Sequence, residues 1–139
     1  MPGSQTMKLL SLLLCLLLAP AVHAYSGQEL LADCRLAEAQ ETETKSSDPT
    51  QRMRSGRCLS YIAGFADGYE ISDYLAEKVG VRLNAFCLPN DPDILHRMVR
   101  AVVIHTERTP PQNTVNTATL VAGALAKAFP CTDLLERKK

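Results

Sequence analysis

The stretch CLSYIAGFADGY, Cys58 to Tyr69, reads as the middle of an α-helix although it contains Gly64 and Gly68. Each glycine in a helix interior costs about 1 kcal/mol relative to alanine. At about 100° per residue, these glycines share one stripe with two small serines, beside a stripe of bulky residues. The small stripe is Ser60, Gly64, Gly68 and Ser72, and the bulky one is Cys58, Ile62, Phe65 and Tyr69. The small stripe predicts close contact with a second helix, in the same chain or in a homodimer.

Outward from this stretch, the sequence predicts four helical segments. They run from Ser26 to about Thr44, from Pro49 to about Lys78, from Asp91-Pro92 to the RTPPQN break, and from Thr114 or Asn116 to Phe129. The inner faces predicted for the last two are Ile94, Leu95, Met98, Val99, Val102 and Val103, then Ala118, Val121, Ala122, Leu125 and Phe129. No stretch shows sustained strand alternation. The predicted fold is all-α, a small bundle of about four helices.

Local signals mark the helix ends. Ser26 and Glu29 form a capping box, and Asp48-Pro49 is an N-cap followed by proline at the first helical position. Gly80 is predicted to terminate the second helix. Asp91-Pro92 repeats the cap-and-proline pattern and predicts the start of the third.

The N-terminus has the pattern of a secretory signal peptide. Lys8 precedes the apolar run Leu9 to Leu18, and the small residues of Val22-His23-Ala24 form a cleavage site. The apolar run is too short to span a bilayer, which needs about 20 residues. We expect cleavage after Ala24, export to the periplasm, a single mature domain over residues 25–139, and no membrane attachment after processing.

Export determines how the cysteines are interpreted. Removal of Cys15 leaves four, which in an oxidising compartment predict two disulfides. Cys34 and Cys58 lie at equal distances from the turn between the first two helices, and Cys87 and Cys131 flank the last two. Antiparallel packing therefore favours Cys34–Cys58 and Cys87–Cys131. The rival pair Cys58–Cys87 would require nine loop residues to return along about 30 Å of helix.

Composition argues against several functions. The mature chain is nearly neutral, and aromatic residues make up 5% of the whole sequence, which argues against nucleic-acid binding. No cysteine has metal-ligand spacing, and His96 and His105 lie on opposite sides of one helix. Asp67, Glu70 and Asp73 are interpreted as an exposed acidic face rather than a cation site. We predict no catalytic residues, no metal and no cofactor.

Three motifs in order resemble one known family. CLSYIAGFADGY, then FCLP at Phe86 to Pro89, then LVAGALAKAFPC at Leu120 to Cys131 are similar to the Rap/Tai immunity proteins of type VI secretion. The resemblance implies a helical periplasmic protein, without catalysis, that binds and blocks an injected cell-wall amidase. The matching residues are interpreted as scaffold: disulfides, packing positions and helix ends.

A partner-binding loop is predicted between the second helix and Cys87. The segment Val79 to Ala85 contains Gly80, Arg82 and Asn84, and the Cys87 bridge fixes its far end. The alternative loop is TERTPPQN, Thr106 to Asn113. Other functions compatible with the sequence are an acid-stress chaperone of the HdeA kind and a structural module of the envelope.

Overall fold

The computed structural model describes residues 24–42, 48–110 and 116–131, which form four α-helices. They are α1 (Gly27–Thr42), α2 (Pro49–Glu77), α3 (Ile94–Arg108) and α4 (Thr117–Ala128). The described residues contain no β-strand, so the predicted all-α class is confirmed. The predicted signal peptide up to residue 23 lies outside the described residues, as do 43–47, 111–115 and 132–139.

Most helix ends follow the local signals. The Ser26 backbone N–H donates to Glu29 Oε2 (2.9 Å), and the Glu29 N–H donates to Ser26 Oγ (3.2 Å). Asp48 accepts from the Thr50 N–H, and Asn116 accepts from the Ala118 N–H. The contacts of Ser26, Glu29 and Asp48 confirm the predicted caps, because such bonds satisfy N–H groups that the first helical turn leaves without a partner. Asn116, one of the two predicted starts of the last helix, is its N-cap.

The predicted start of the third helix at Asp91 is wrong by two residues. Asp93 is the N-cap of α3 and makes no side-chain cap hydrogen bond. Asp91 instead closes the turn before the helix. Its carbonyl accepts from the Ile94 N–H (3.1 Å), and its carboxylate accepts from the Asp93 N–H (2.9 Å).

The core lies where α1 packs against α2 and α3, with α4 against α3. On α3, the predicted inner residues Met98, Val99, Val102 and Val103 are buried, and Ile94 and Leu95 are half-buried. The predicted face of α4 is partly wrong. Leu120 and Ala124 are buried in place of Ala118 and Ala122, which are half-buried, because α3 covers the stripe that also contains Val121 and Leu125.

Both predicted disulfides are present. Cys34 is bonded to Cys58 across α1 and α2, and Cys87 to Cys131 across the outer ends of the α3–α4 pair. Each bridge joins segments that antiparallel packing brings to the same end. The argument from antiparallel packing is therefore confirmed for both pairs.

The predicted helix contact along the glycine stripe is wrong within the described chain. Gly64 and Gly68 are exposed, and a Cβ atom added at either would have no neighbour within 4 Å. α1 and α3 pack on the other side of α2, against the buried Cys58, Ile62 and Ala66. A contact between this stripe and a second molecule stays a prediction.

One charged residue in the core was not predicted. Asp33 of α1 is fully buried and accepts from Arg54 Nε (2.7 Å), Arg57 Nε (2.6 Å) and the Tyr25 hydroxyl (2.7 Å). Burial by itself would raise the pKa of Asp33, but the bonds from Arg57, Arg54 and Tyr25 outweigh it and lower the pKa below its usual value. Burial, and then Asp33, raises the pKa of Tyr25. Tyr25 also contacts α4, since its carbonyl accepts from Thr117 Oγ1.

Candidate functional site

The C-terminal part of α2 extends beyond the core. At 1.5 Å per residue, the 29 residues of α2 span about 43 Å and the 16 of α1 about 24 Å. Ala66 is the last buried residue of α2, so its final turns are only partly covered. Six large apolar side chains are exposed there and in the segment that follows: Ile71, Tyr74, Leu75, Val79, Val81 and Leu83. We call these six residues the α2-end surface.

Hydrogen bonds to α2 hold the segment after it in one shape. The Val81 N–H donates to the Ala76 carbonyl and the Gly80 N–H to the Glu77 carbonyl, both at 3.0 Å. This pair of bonds is a Schellman motif, and it requires the positive φ of 79° that Gly80 adopts. Gly80 therefore terminates the helix as predicted, and it turns the chain back along α2.

Two side chains of α2 bind the part of this loop that runs back along the helix. Asp73 Oδ1 accepts from the Leu83 N–H (2.9 Å), and the Tyr69 hydroxyl accepts from the Ala85 N–H (2.8 Å). Between them, Asn84 has a positive φ of 47°, a conformation that asparagine tolerates better than most residues. The Val79–Ala85 loop is thus fixed along its length.

The far end of the loop is anchored in the core. The buried Phe86 ring stacks on Tyr69 at 4.0 Å and on Phe65 at 6.4 Å between ring centroids. The Cys87 N–H donates to the Phe129 carbonyl (2.9 Å), and Cys87 is also bridged to Cys131. A loop held in this way loses little further freedom when it docks on another molecule.

The three predicted partner-binding residues have different positions. Gly80 and Arg82 are exposed, and Arg82 Nε lies 3.9 Å from Glu77 Oε1. Asn84 is half-buried and sets the backbone conformation of the loop. The exposed apolar residues Val79, Val81 and Leu83 were not among the predicted residues, although the sequence places them next to Gly80, Arg82 and Asn84 in the same loop.

The acidic residues of α2 do not form one exposed face. Asp67 and Glu70 are exposed, but Asp73 is half-buried and its carboxylate is bonded to the loop. In the described part of the chain, no group of three or more histidine, cysteine, aspartate or glutamate residues could hold a metal ion.

The alternative loop is shorter than predicted. Thr106 to Arg108 belong to α3, and Thr106 is buried, with its hydroxyl bonded to the Val102 carbonyl. Residues 111–113 of that loop lie outside the described residues.

A rigid, exposed apolar surface on a disulfide-linked helical scaffold is typical of a protein-binding module. Among the described helices, none has both the length and the apolar character needed to cross a bilayer. The sequence model of the family of Rap1a immunity proteins matches residues 26–131 of the chain. The chain therefore belongs to this family. Comparisons with curated proteins and with solved structures gave no match. Membership indicates an immunity-type function through a protein effector partner, in a family that is generally not enzymatic.

Proposed function

We propose that this protein is exported to the periplasm and neutralises a peptidoglycan amidase delivered by type VI secretion. In this proposal the signal peptide is cleaved after Ala24, and the mature protein occludes the active site of the amidase. The observation that carries the proposal is the α2-end surface, in a chain of the Rap1a immunity family. Tyr25, the first residue after that cleavage, is packed in the fold through Asp33 and Thr117.

The loop is suited to enter a cleft. Full burial of one large apolar side chain contributes about 1.5–3 kcal/mol. Scaled by their exposed fractions, the six residues of the α2-end surface would contribute about 5–10 kcal/mol. Association itself costs about 4–15 kcal/mol, so tight inhibition also needs polar contacts. Arg82, exposed beside Glu77, is the donor that we assign to this contact.

Titration of a cognate amidase with the purified protein tests the proposal. Inhibition should be stoichiometric and reversible, without turnover of the inhibitor. Val79→Ser should weaken binding about tenfold with no loss of thermal stability, because Val79 is 77% exposed and its side chain supports no core contact. Met53→Ser is the matched control, since Met53 is 69% exposed at the other end of α2. Equal effects of the two substitutions would contradict the assignment of the surface.

Substitutions that test the polar residues of the loop must preserve its backbone conformation. Arg82→Ala should weaken binding without lowering the melting temperature. At Asn84 the suitable substitution is Asn84→Gly, because alanine is strained at a positive φ and would disturb the whole loop.

Three further results would each overturn one part of the proposal. Binding of an effector with a different enzymatic activity would refute the proposal that the partner is an amidase. A mature N-terminus other than Tyr25, or a cytoplasmic location, would refute the processing. Protection of unrelated proteins from aggregation at low pH, with no effector bound, would favour the acid-stress chaperone.

A further inference from the structure

A second surface lies on the opposite side of α3 from the core. A groove of about 430 Å³ runs between α3 and α4. Its lining contains four cations, which we call the rim, and apolar residues that include Ile104 and Phe129, which we call the floor. The four cations are Arg97, Arg100, Arg108 and Lys127. None of the residues that line it is acidic. The groove shares no residue with the α2-end surface.

Three of the four rim cations are available for a ligand. Arg97 is already engaged, because its Nη1 bonds to Asp91 Oδ2 and its guanidinium lies 5.6 Å from the centroid of the Phe129 ring. Arg100, Arg108 and Lys127 make no ion pair with any residue that the structure describes. Among the described residues, no carboxylate pairs with these three cations, so the rim holds a positive charge that this part of the chain does not compensate.

The spacing of these cations indicates an elongated ligand. Arg100 and Arg108 are eight residues apart on α3, about 12 Å along its axis. Both guanidinium groups would have to bend toward a single phosphate or carboxylate to come within the about 4 Å of an ion pair. Several anionic groups spaced one to two helical turns apart therefore match the rim better than one.

The floor favours peptide over other polyanions. Ile104 is 39% exposed between the charged residues, so a ligand that presents only charge would leave this apolar floor uncovered. Nucleic acid would gain little, because the Phe129 ring is buried and the His105 ring is half-buried, so the lining offers no exposed ring on which a base could stack. Leucines between glutamates on one helix face would meet both the floor and the rim.

We propose that the α3–α4 groove binds an acidic, leucine-containing segment of a protein partner. The carboxylates of the segment pair with Arg100, Arg108 and Lys127, and its leucines cover Ile104. This contact is independent of the α2-end surface, and it does not require the partner to be an amidase.

The test uses a synthetic helical peptide of about 16 residues, with glutamates four residues apart and leucines between them, titrated into the purified protein by calorimetry. Arg100→Ser with Arg108→Ser should weaken binding at least about tenfold. Arg52→Ser with Lys78→Ser removes the same charge at the two ends of α2, outside the groove, and should leave peptide binding unchanged. Ile104→Asp should also weaken binding, because it places a carboxylate on the floor. Circular dichroism melting shows that each variant remains folded.

Salt and competing probes separate the ligand classes. Raising the salt from about 0.1 M to about 1 M shortens the Debye length from about 10 Å to about 3 Å and should weaken peptide binding. Equal losses in the two double variants would refute the site, since attraction would then follow net charge alone. Tighter binding of polyphosphate, single-stranded DNA or anionic vesicles than of the peptide would refute the proposed ligand. Equal affinity for an all-glutamate peptide would refute the role of the floor.

Because the groove is tested with a peptide and the α2-end surface with an amidase, either proposal can fail alone.

Discussion

Replacement of Asp33 by asparagine tests how α1 and α2 are held together. The substitution keeps the size of the side chain but removes the charge that faces Arg54, Arg57 and Tyr25. It also turns an amide N–H₂ toward groups that are themselves donors. Breaking a buried charge pair costs about 3–5 kcal/mol. Arg54 and Arg57 are 39% and 48% exposed and regain water, so we expect a loss of about 2–4 kcal/mol.

The lowered pKa of Asp33 determines how the stability loss in Asp33→Asn depends on pH. The folded-state pKa of Asp33 lies below the usual value of about 3.9. The contribution of its charge to stability is therefore complete above about pH 5 and is lost as pH falls through the folded-state pKa. The free-energy difference between the wild type and Asp33→Asn should be largest at neutral pH and should shrink below about pH 4.

Urea unfolding from pH 7 down to pH 3 measures this difference. In thermal melts at neutral pH, the melting temperature should fall by about 8–16 °C, at about 4 °C per kcal/mol for a domain of this size. Asp67→Asn is the control, because Asp67 is an exposed carboxylate on α2. A loss below about 1 kcal/mol at pH 7, or a loss that does not change with pH, would refute the account of Asp33 as a charged anchor.

Three other predictions concern the scaffold. Gly64→Ala should raise stability by about 0.5–1 kcal/mol in thermal melts, because an added Cβ meets no atom and alanine is the better helix former; a loss would show that a second molecule packs on this stripe. Replacing Cys34 and Cys58 by serine should cost about 3 kcal/mol in urea unfolding, from a loop of 24 residues, and an unchanged midpoint would contradict this estimate. Tyr69→Phe keeps the ring stacked on Phe86 but removes the acceptor for the Ala85 N–H. Hydrogen exchange of the Ala85 amide should therefore accelerate, while the melting temperature falls by only a few degrees. Unchanged exchange would show that this hydrogen bond does not hold the loop.

Local features of the sequence were sufficient for the helices and the disulfides. Caps such as Ser26 with Glu29 and the Gly80 terminator act within a few residues, so their effect can be predicted without knowledge of the packing. The disulfides followed because an antiparallel hairpin brings together Cys34 and Cys58, at equal distances from its turn, and a second one brings together Cys87 and Cys131 at its outer ends. Most of the inner face of α3 also followed from its helical periodicity.

Only the tertiary structure decided which faces remain exposed. The sequence of α2 offered two faces for helix packing, one of small residues and one of bulky residues. The structure buries the face that contains Cys58 and Ile62 and leaves Gly64 exposed. Asp33 is buried because two arginines one turn apart on α2 and a tyrosine from the N-terminal segment converge on it, which no local pattern shows. The α2-end surface exists because α2 is longer than the helices that cover it, and the α3–α4 groove exists because α4 leaves one side of α3 open. Sequence determined the elements of this protein; the unequal lengths and packing of those elements determined its surfaces.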